Sequence, residues 1–241
     1  MKKVNLQFLA ILFITAIFSS CGTDIFNGVV GNKNIVTIER TPQADFTGIK
    51  VSTGIDLFIS QGSANTITVK ADENLHDLII TEVNDGILKI YTDKNIWKAQ
   101  ARKVYVTIEN ITLLRASSGS NVKSESVIKT NKISIDANSG ARIKIEVAAE
   151  SVQTETSSGS DIKIKGTTIY HKASASSGSS IDAYELKSTN ASARASSGAS
   201  INIYASINMN GRASSGGDVD FKGDPTTVNK EFSSGGSVSK Q

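Results

Sequence analysis

The chain has one cysteine, two histidines and two prolines in 241 residues; only 6% of it is aromatic, with a single tryptophan. Each scarcity removes a class of explanation. One cysteine cannot close an internal disulfide. His76 and His171, with no cysteine to partner them, leave almost no material for a zinc or iron centre, so neither metal nor cofactor is expected. So few large rings cannot fill a broad globular core, whereas Val, Ile and Ala can fill a long, slender one. Net positive charge is also small. The formal balance of +3 includes Lys2 and Lys3, and without that leader 24 basic groups face 23 acidic ones. No nucleic-acid partner follows from a balance of +1.

Lys2 and Lys3, an apolar run of 13 residues at Leu6–Phe18 and the small Ser19-Ser20 form a secretory signal, Met1–Ser20. The run is too short to span a bilayer comfortably. Cys21 follows at once. Phe18-Ser19-Ser20-Cys21 resembles a bacterial lipobox, departing from it at Phe18, where an aliphatic residue is usual. Cys21 is therefore expected to be lipidated, making the membrane a partner through a lipid anchor. Gly22–Asn34 has glycine, asparagine and no strong period. Residues 21–34 accordingly read as lipidated cysteine and tether, and residues 35–241 as one domain.

What the chain has in abundance is one phrase. It reads RASSGSN at Arg115–Asn121 and returns, varied, around Gly140, Gly159, Gly178, Gly198, Gly216 and Gly235, at spacings of 21, 19, 19, 20, 18 and 19. A period near 20 marks a repeat architecture in which one unit stacks on the next. Aligned on the glycine, the third residue after it is Val122, Ile143, Ile162, Ile181, Ile201, Val219 or Val238. The fifth after it and the third before it are mostly Ile and Ala, while the fourth after it is polar. Offsets of two are the period of a half-buried strand. Each repeat is thus a strand, a Ser-Ser-Gly corner and a second strand, and coils wound once per repeat pair in parallel. Glycine suits the positive φ of the corner, and the serines can bond the backbone groups that the turn frees. With no base near them, these serines read as corner chemistry, not as nucleophiles.

Gly54 is an earlier corner, with Ile49 and Val51 before it and Leu57 and Ile59 after it; the stretch from there to Gly119 is one coil with an insertion. Within that insertion Asn84-Asp85-Gly86 between two apolar runs predicts a hairpin. Ala71–Asp77 reads as a loop carrying His76, and Thr92–Arg102 as a second loop carrying Trp97. The insertion is expected to cover the N-terminal end, where an open sheet edge would invite aggregation.

Four constellations could carry chemistry. His171 shares a column with Ile133 and Val152 and reads as a packed histidine. Ser158–Ile162 and Gly216–Val219 look like pieces of a calcium-binding nonapeptide, but the period is double and the aspartate is replaced in other copies. Asp182 and Asp220 share a column, two coils and about 10 Å apart; with no aromatic platform seen beside them, they read as solvated charges. Lys123, Lys144 and Lys163 occupy the same column on consecutive coils. A solvated face is the plainer account of them; the functional one is a receptor for an anionic glycan or lipid headgroup.

Three stretches carry a family resemblance: Phe46-Thr47-Gly48-Ile49-Lys50-Val51-Ser52-Thr53-Gly54, then Asp72-Glu73-Asn74-Leu75 leading to Asp85-Gly86-Ile87-Leu88-Lys89-Ile90, and the Ser-Ser-Gly corners. In that order they resemble the bacterial putative auto-transporter adhesins with a head GIN domain, over about residues 35–240. The resemblance implies an all-β, single-stranded right-handed parallel β-helix, here of about eight coils with a hairpin-bearing insertion near its N-terminal end. It implies an outer-membrane lipoprotein of Bacteroidetes type, and it brings no catalytic residues. Such proteins sent to the cell surface carry an acidic run after the lipidated cysteine. Here Asp24 is the one acid in Gly22–Ile25, so periplasmic-facing and surface-exposed fates both stay open. The expected function is a non-enzymatic envelope protein that binds glycan or protein. The alternative is a polysaccharide-cleaving enzyme using Asp182 and Asp220.

Overall fold

The computed structural model describes residues 28–241. Met1–Ser20, Cys21 and the tether up to Asn27 lie outside the described residues. The architecture grows from the corners. At the first Ser-Ser-Gly corner, Ser118 has φ 51° and Gly119 φ 71°, and the Ser120 N–H donates to the Ser117 carbonyl at 3.2 Å. Two successive left-handed residues closed by that bond make a type I′ turn. The pair recurs at each corner, from Thr53-Gly54 (φ 61° and 69°) to Ser234-Gly235 (49° and 77°). The glycine is not alone in the left-handed conformation, since the residue before it shares it. For serine that conformation costs about 1–2 kcal/mol. A ladder along the axis offsets the cost. The Gly54 N–H donates to Ser118 O, Gly119 to Ser139 O, Gly140 to Ser158 O and so on to Gly216 and Ser234 O, at 3.0–3.2 Å.

Strands on either side of the corner pair in parallel register. Leu57, Val122, Ile143, Ile162 and Ile181 are successive partners, continued by Ile201, Val219 and Val238. All are buried, none more than 7% exposed, so this is the aliphatic spine that the column predicted. On the other flank Ala137, Thr156, Ala175, Ala195 and Ala213 fill the inner position with small side chains. The result is an all-β solenoid of about seven turns. That is close to the eight or so coils expected, and the last corner, at Gly235, is followed by the short strand Ser237–Lys240.

The insertion covers the N-terminal end, as anticipated. Gly48–Val51 pairs on one side with Leu113–Ala116 of the next coil and on the other with Ile87–Thr92; Asp56–Gln61 is likewise flanked by Asn121–Ser124 and Arg102–Ile108. Antiparallel strands then close the end: Ile79–Asn84 against Ile87–Thr92, Thr66–Asp72 against Arg102–Ile108, and Ile35–Arg40 outermost. Two loops of the sequence reading are more ordered than it expected. Glu73–Leu75 is a turn of 3-10 helix, and Ile96–Lys98 is a strand.

The last part of the stretch that the sequence marks as tether belongs to the fold. Val29–Val30 pairs with Ile96–Lys98, and the buried carboxylate of Asp72 accepts the N–H groups of Lys33, Gln100 and Ala101. Burial pushes the Asp72 pKa up, but the backbone donors Ala101, Gln100 and Lys33 outweigh it and hold it below the usual carboxylate value. At the other end, Lys230 and Lys240 stand in inner positions, the partners of Gly211 and Phe221. The Lys230 ammonium lies 5.1 Å from the Phe221 ring centre. Inward charges on a last strand blunt its edge. Phe232, which follows Ala213 in an inner column, is 64% exposed because no coil covers it.

Candidate functional site

The three lysines singled out in sequence do stack. Lys123 is the register partner of Lys144, and Lys144 of Lys163, all on the exposed side of the strands that leave the corners at Gly119, Gly140 and Gly159. Lys163 also pairs with Asp182 at 3.0 Å and Glu185 at 3.7 Å. The hydrogen bond and charge of Asp182 raise its pKa. Lys123 and Lys144 make no ion pair among the described residues. Two unpaired cations therefore precede a third that is partly neutralised.

Sequence reasoning missed what stands at the head of this row. The partner of Lys123 on the preceding layer is Phe58, and the partner of Phe58 is Tyr105. Their rings stack with centroids 4.9 Å apart and planes within 15°. The column thus runs Tyr105, Phe58, Lys123, Lys144, Lys163: an apolar step, half-buried, at the end of a cationic row. Chemically it can pack the hydrophobic side of a sugar ring and pair the acid groups that follow. The signal lay outside the repeat, since Tyr105 belongs to the insertion that folds back under the Gly54 coil.

A second cationic place was also missed. Lys89, Lys50 and Arg115 are consecutive partners on the strands entering the corners. With Tyr91, Ser117 and Asn138 they line a groove of about 310 Å³. Arg115 is tied to Asp136 at 2.6 Å.

Asp182 and Asp220 share their column with Asn202 between them. The expectation that no aromatic adjoins them is corrected by Tyr184. Burial, then the charges of Asp220 and Asp182, raise its pKa. Tyr184 stands two residues past Asp182 on the same outward face of the strand; just beyond it the register shifts, the partner of Lys163 being Asp182 and that of Lys165 being Glu185. That ring is not open, since the Lys222 ammonium lies 4.4 Å over it. Both carboxylates are engaged, Asp182 by Lys163 and Asp220 by the Gln241 side-chain amide at 2.9 Å.

His171 is packed inside, 2% exposed. Its Nε2 lies 3.0 Å from Thr154 Oγ1, and its Nδ1 has no partner. Burial lowers its pKa to about 4. His76, expected on a loop, is also buried, with Nε2 3.1 Å from the Val36 carbonyl. Among the described residues no group of three or more His, Cys, Asp or Glu side chains could hold a metal. Two corner serines bond as expected: Ser160 Oγ accepts the Ser157 N–H at 3.2 Å and lies 2.7 Å from the Ala137 carbonyl, and Ser179 Oγ accepts the Ser176 N–H at 3.2 Å; Ser120 Oγ, at the equivalent place, is buried without a partner among the described residues. All eight corner glycines, Gly54, Gly119, Gly140, Gly159, Gly178, Gly198, Gly216 and Gly235, have φ between 65° and 77°.

Comparison with known proteins places this geometry. Residues 45–225 match the family described as putative auto-transporter adhesin, head GIN domain. A putative adhesin from Bacteroides fragilis has the same fold, with a TM-score of 0.82 at 18% identity over 89% of this chain and all of that one. A putative lipid binding protein from Parabacteroides distasonis gives 0.74 at 21%, again over 89% and 100%. A putative adhesin from Parabacteroides merdae gives 0.69 at 20%, over 89% and 99%. At these identities the likeness is one of fold. No functionally curated protein matches the chain. Among the described residues no helix is long and apolar enough to cross a membrane.

Proposed function

We propose, for a chain that belongs to the putative auto-transporter adhesin, head GIN domain family, a non-enzymatic role at the cell envelope as a lipid-anchored module that binds anionic glycan. The adhesin-type family points to the envelope or cell surface, and the signal and Cys21 supply the anchor. The observation that carries the binding role is the exposed column Tyr105, Phe58, Lys123, Lys144, Lys163. Its rungs are about 4.8 Å apart, so a sulfated or uronic-acid chain can follow it, with sugar packing at the aromatic step and acid groups at the lysines. Attraction of this kind gives encounter and specificity, and salt screens it. Cleavage by Asp182 and Asp220 is the weaker reading, because both carboxylates are engaged and Asn202 intervenes.

An array of sulfated, uronic-acid and neutral glycans tests this. The protein should be retained on the acidic members at low salt, and the Lys123→Gln, Lys144→Gln, Lys163→Gln triple variant should not, with its melting temperature nearly unchanged. Retention on neutral glycans alone, or none at low salt, refutes it.

A further inference from the structure

The one tryptophan sits where the described chain begins. Trp97 lies in Ile96–Lys98, which pairs in parallel with Val29–Val30; the partners are Val29 with Ile96 and Val30 with Lys98. One step on one strand meets two on the other. Trp97 is therefore the extra residue of a bulge, a device that re-aims a side chain. Gly28 lies against the indole so closely that a Cβ there would fall 2.3 Å from Trp97 Cδ1. Much of the ring stays open even so: Trp97 is 55% and Val30 53% exposed. The segment Asp93–Lys98 adds two exposed lysines, Lys94 and Lys98, against one aspartate.

Reach decides what can meet this patch. From Cys21 to Gly28 is seven residue steps, at most about 25 Å even fully extended. Gly28 touches Trp97, so an acylated Cys21 keeps the indole within that distance of the lipid. The patch is also firmly mounted. The Asp72 carboxylate holds the departing segment at Lys33 and the Trp97 loop at Gln100 and Ala101 in one cluster. Tryptophan settles at the headgroup level of a bilayer, where its apolar ring and polar N–H are both satisfied, and lysines there are drawn to anionic lipid. We propose that the N-terminal cap rests on the bilayer through Trp97 and Val30, with Lys94 and Lys98 toward anionic headgroups. The lipid at Cys21 is then one of two contacts, and the cap, not the coils, stands next to the membrane. This rests on the reading that Cys21 is lipidated.

Because residue 97 is the only tryptophan, intrinsic fluorescence reports on it alone. The full chain, purified from membranes, is reconstituted into phosphatidylethanolamine and phosphatidylglycerol vesicles, with and without brominated acyl chains. It is compared with the Cys21→Ser chain in buffer. The expected result is co-flotation with the vesicles, a blue-shifted emission and roughly twofold or greater quenching by the brominated lipid. Co-flotation with unshifted, unquenched emission overturns the Trp97 contact and leaves the anchor standing. Failure to co-float overturns both.

Discussion

Gly216 and Gly217 are neighbours in one corner and look interchangeable. The position of Gly217 is held by Ser120, Ala141, Ser160, Ser179 and Ala199 in other copies, so alignment marks Gly217→Ala as harmless. Geometry predicts the reverse. A Cβ on Gly217 would lie 2.6 Å from the Ala195 carbonyl carbon and 2.7 Å from its oxygen and from Ser196 N. Relaxed carbon contacts sit at about 3.5–4.0 Å, so the backbone of the neighbouring coil must retreat by about 1 Å. That backbone is held by ladder bonds and cannot swing aside like a side chain. Overpacking costs about 1–3 kcal/mol, and the rigid obstacle puts this site near the top of that range. For a chain of this size the melting temperature should fall by about 6–12 °C. Gly216→Ala meets nothing within 4 Å, yet its φ is 71°. The left-handed penalty of about 1–2 kcal/mol corresponds to a fall of roughly 2–8 °C. Thermal melts followed by circular dichroism rank the two variants against the parent. If Gly217→Ala melts with the parent, or above Gly216→Ala, the close approach of the coils is wrong.

Three other outcomes follow from the same geometry. Ile162→Asp places an unpaired carboxylate between Ile143 and Ile181, at a cost of several kcal/mol; a soluble variant with an unchanged melt would mean that the faces are swapped. His171 is held neutral by burial, with its pKa lowered to about 4, against about 6.5 unfolded. Its folded pKa is depressed, so stability is whole above pH 6.5 and erodes by about 3 kcal/mol as pH falls to 4. His171→Val, beside Val152 and Ala191, should flatten that part of the stability profile, and an unaltered slope would count against it. Cys21→Ser should abolish partition into detergent with membrane lipoproteins, since stable anchoring needs more than one acyl chain; undiminished membrane retention would remove the lipobox.

The repeat was legible because its chemistry is forced. A type I′ turn needs a left-handed residue at its second central position, glycine fills it, and the period-two columns beside it show which side is inside. Ser118 and its counterparts gave no such sign, because serine reaches the left-handed region only when the ladder over it repays the strain. The lysine row was legible for the same reason as the spine, being a column of the repeat. The aromatic step was not, since Tyr105 meets Phe58 only through a strand that returns beneath the first coil. Tyr184 needs no more than the same alternation, since it lies two residues past Asp182 on one face of one strand. The glycines and asparagines of residues 28–34 look like a tether, yet Asn32 and Asn34 bond Glu73 and Asn74. Polar composition alone does not say whether a partner for those groups waits in the fold.

The central claim is that the column from Tyr105 to Lys163 is a receptor for acidic glycan. It is tested most directly by the affinity of the protein for one sulfated polysaccharide, measured by titration calorimetry across a series of salt concentrations. The account predicts binding that weakens steeply between low and physiological salt, and that is lost in the Lys123→Gln, Lys144→Gln, Lys163→Gln variant while Phe58→Ala weakens it without changing the salt dependence. Binding that is indifferent to salt, or that survives the triple substitution, would contradict it.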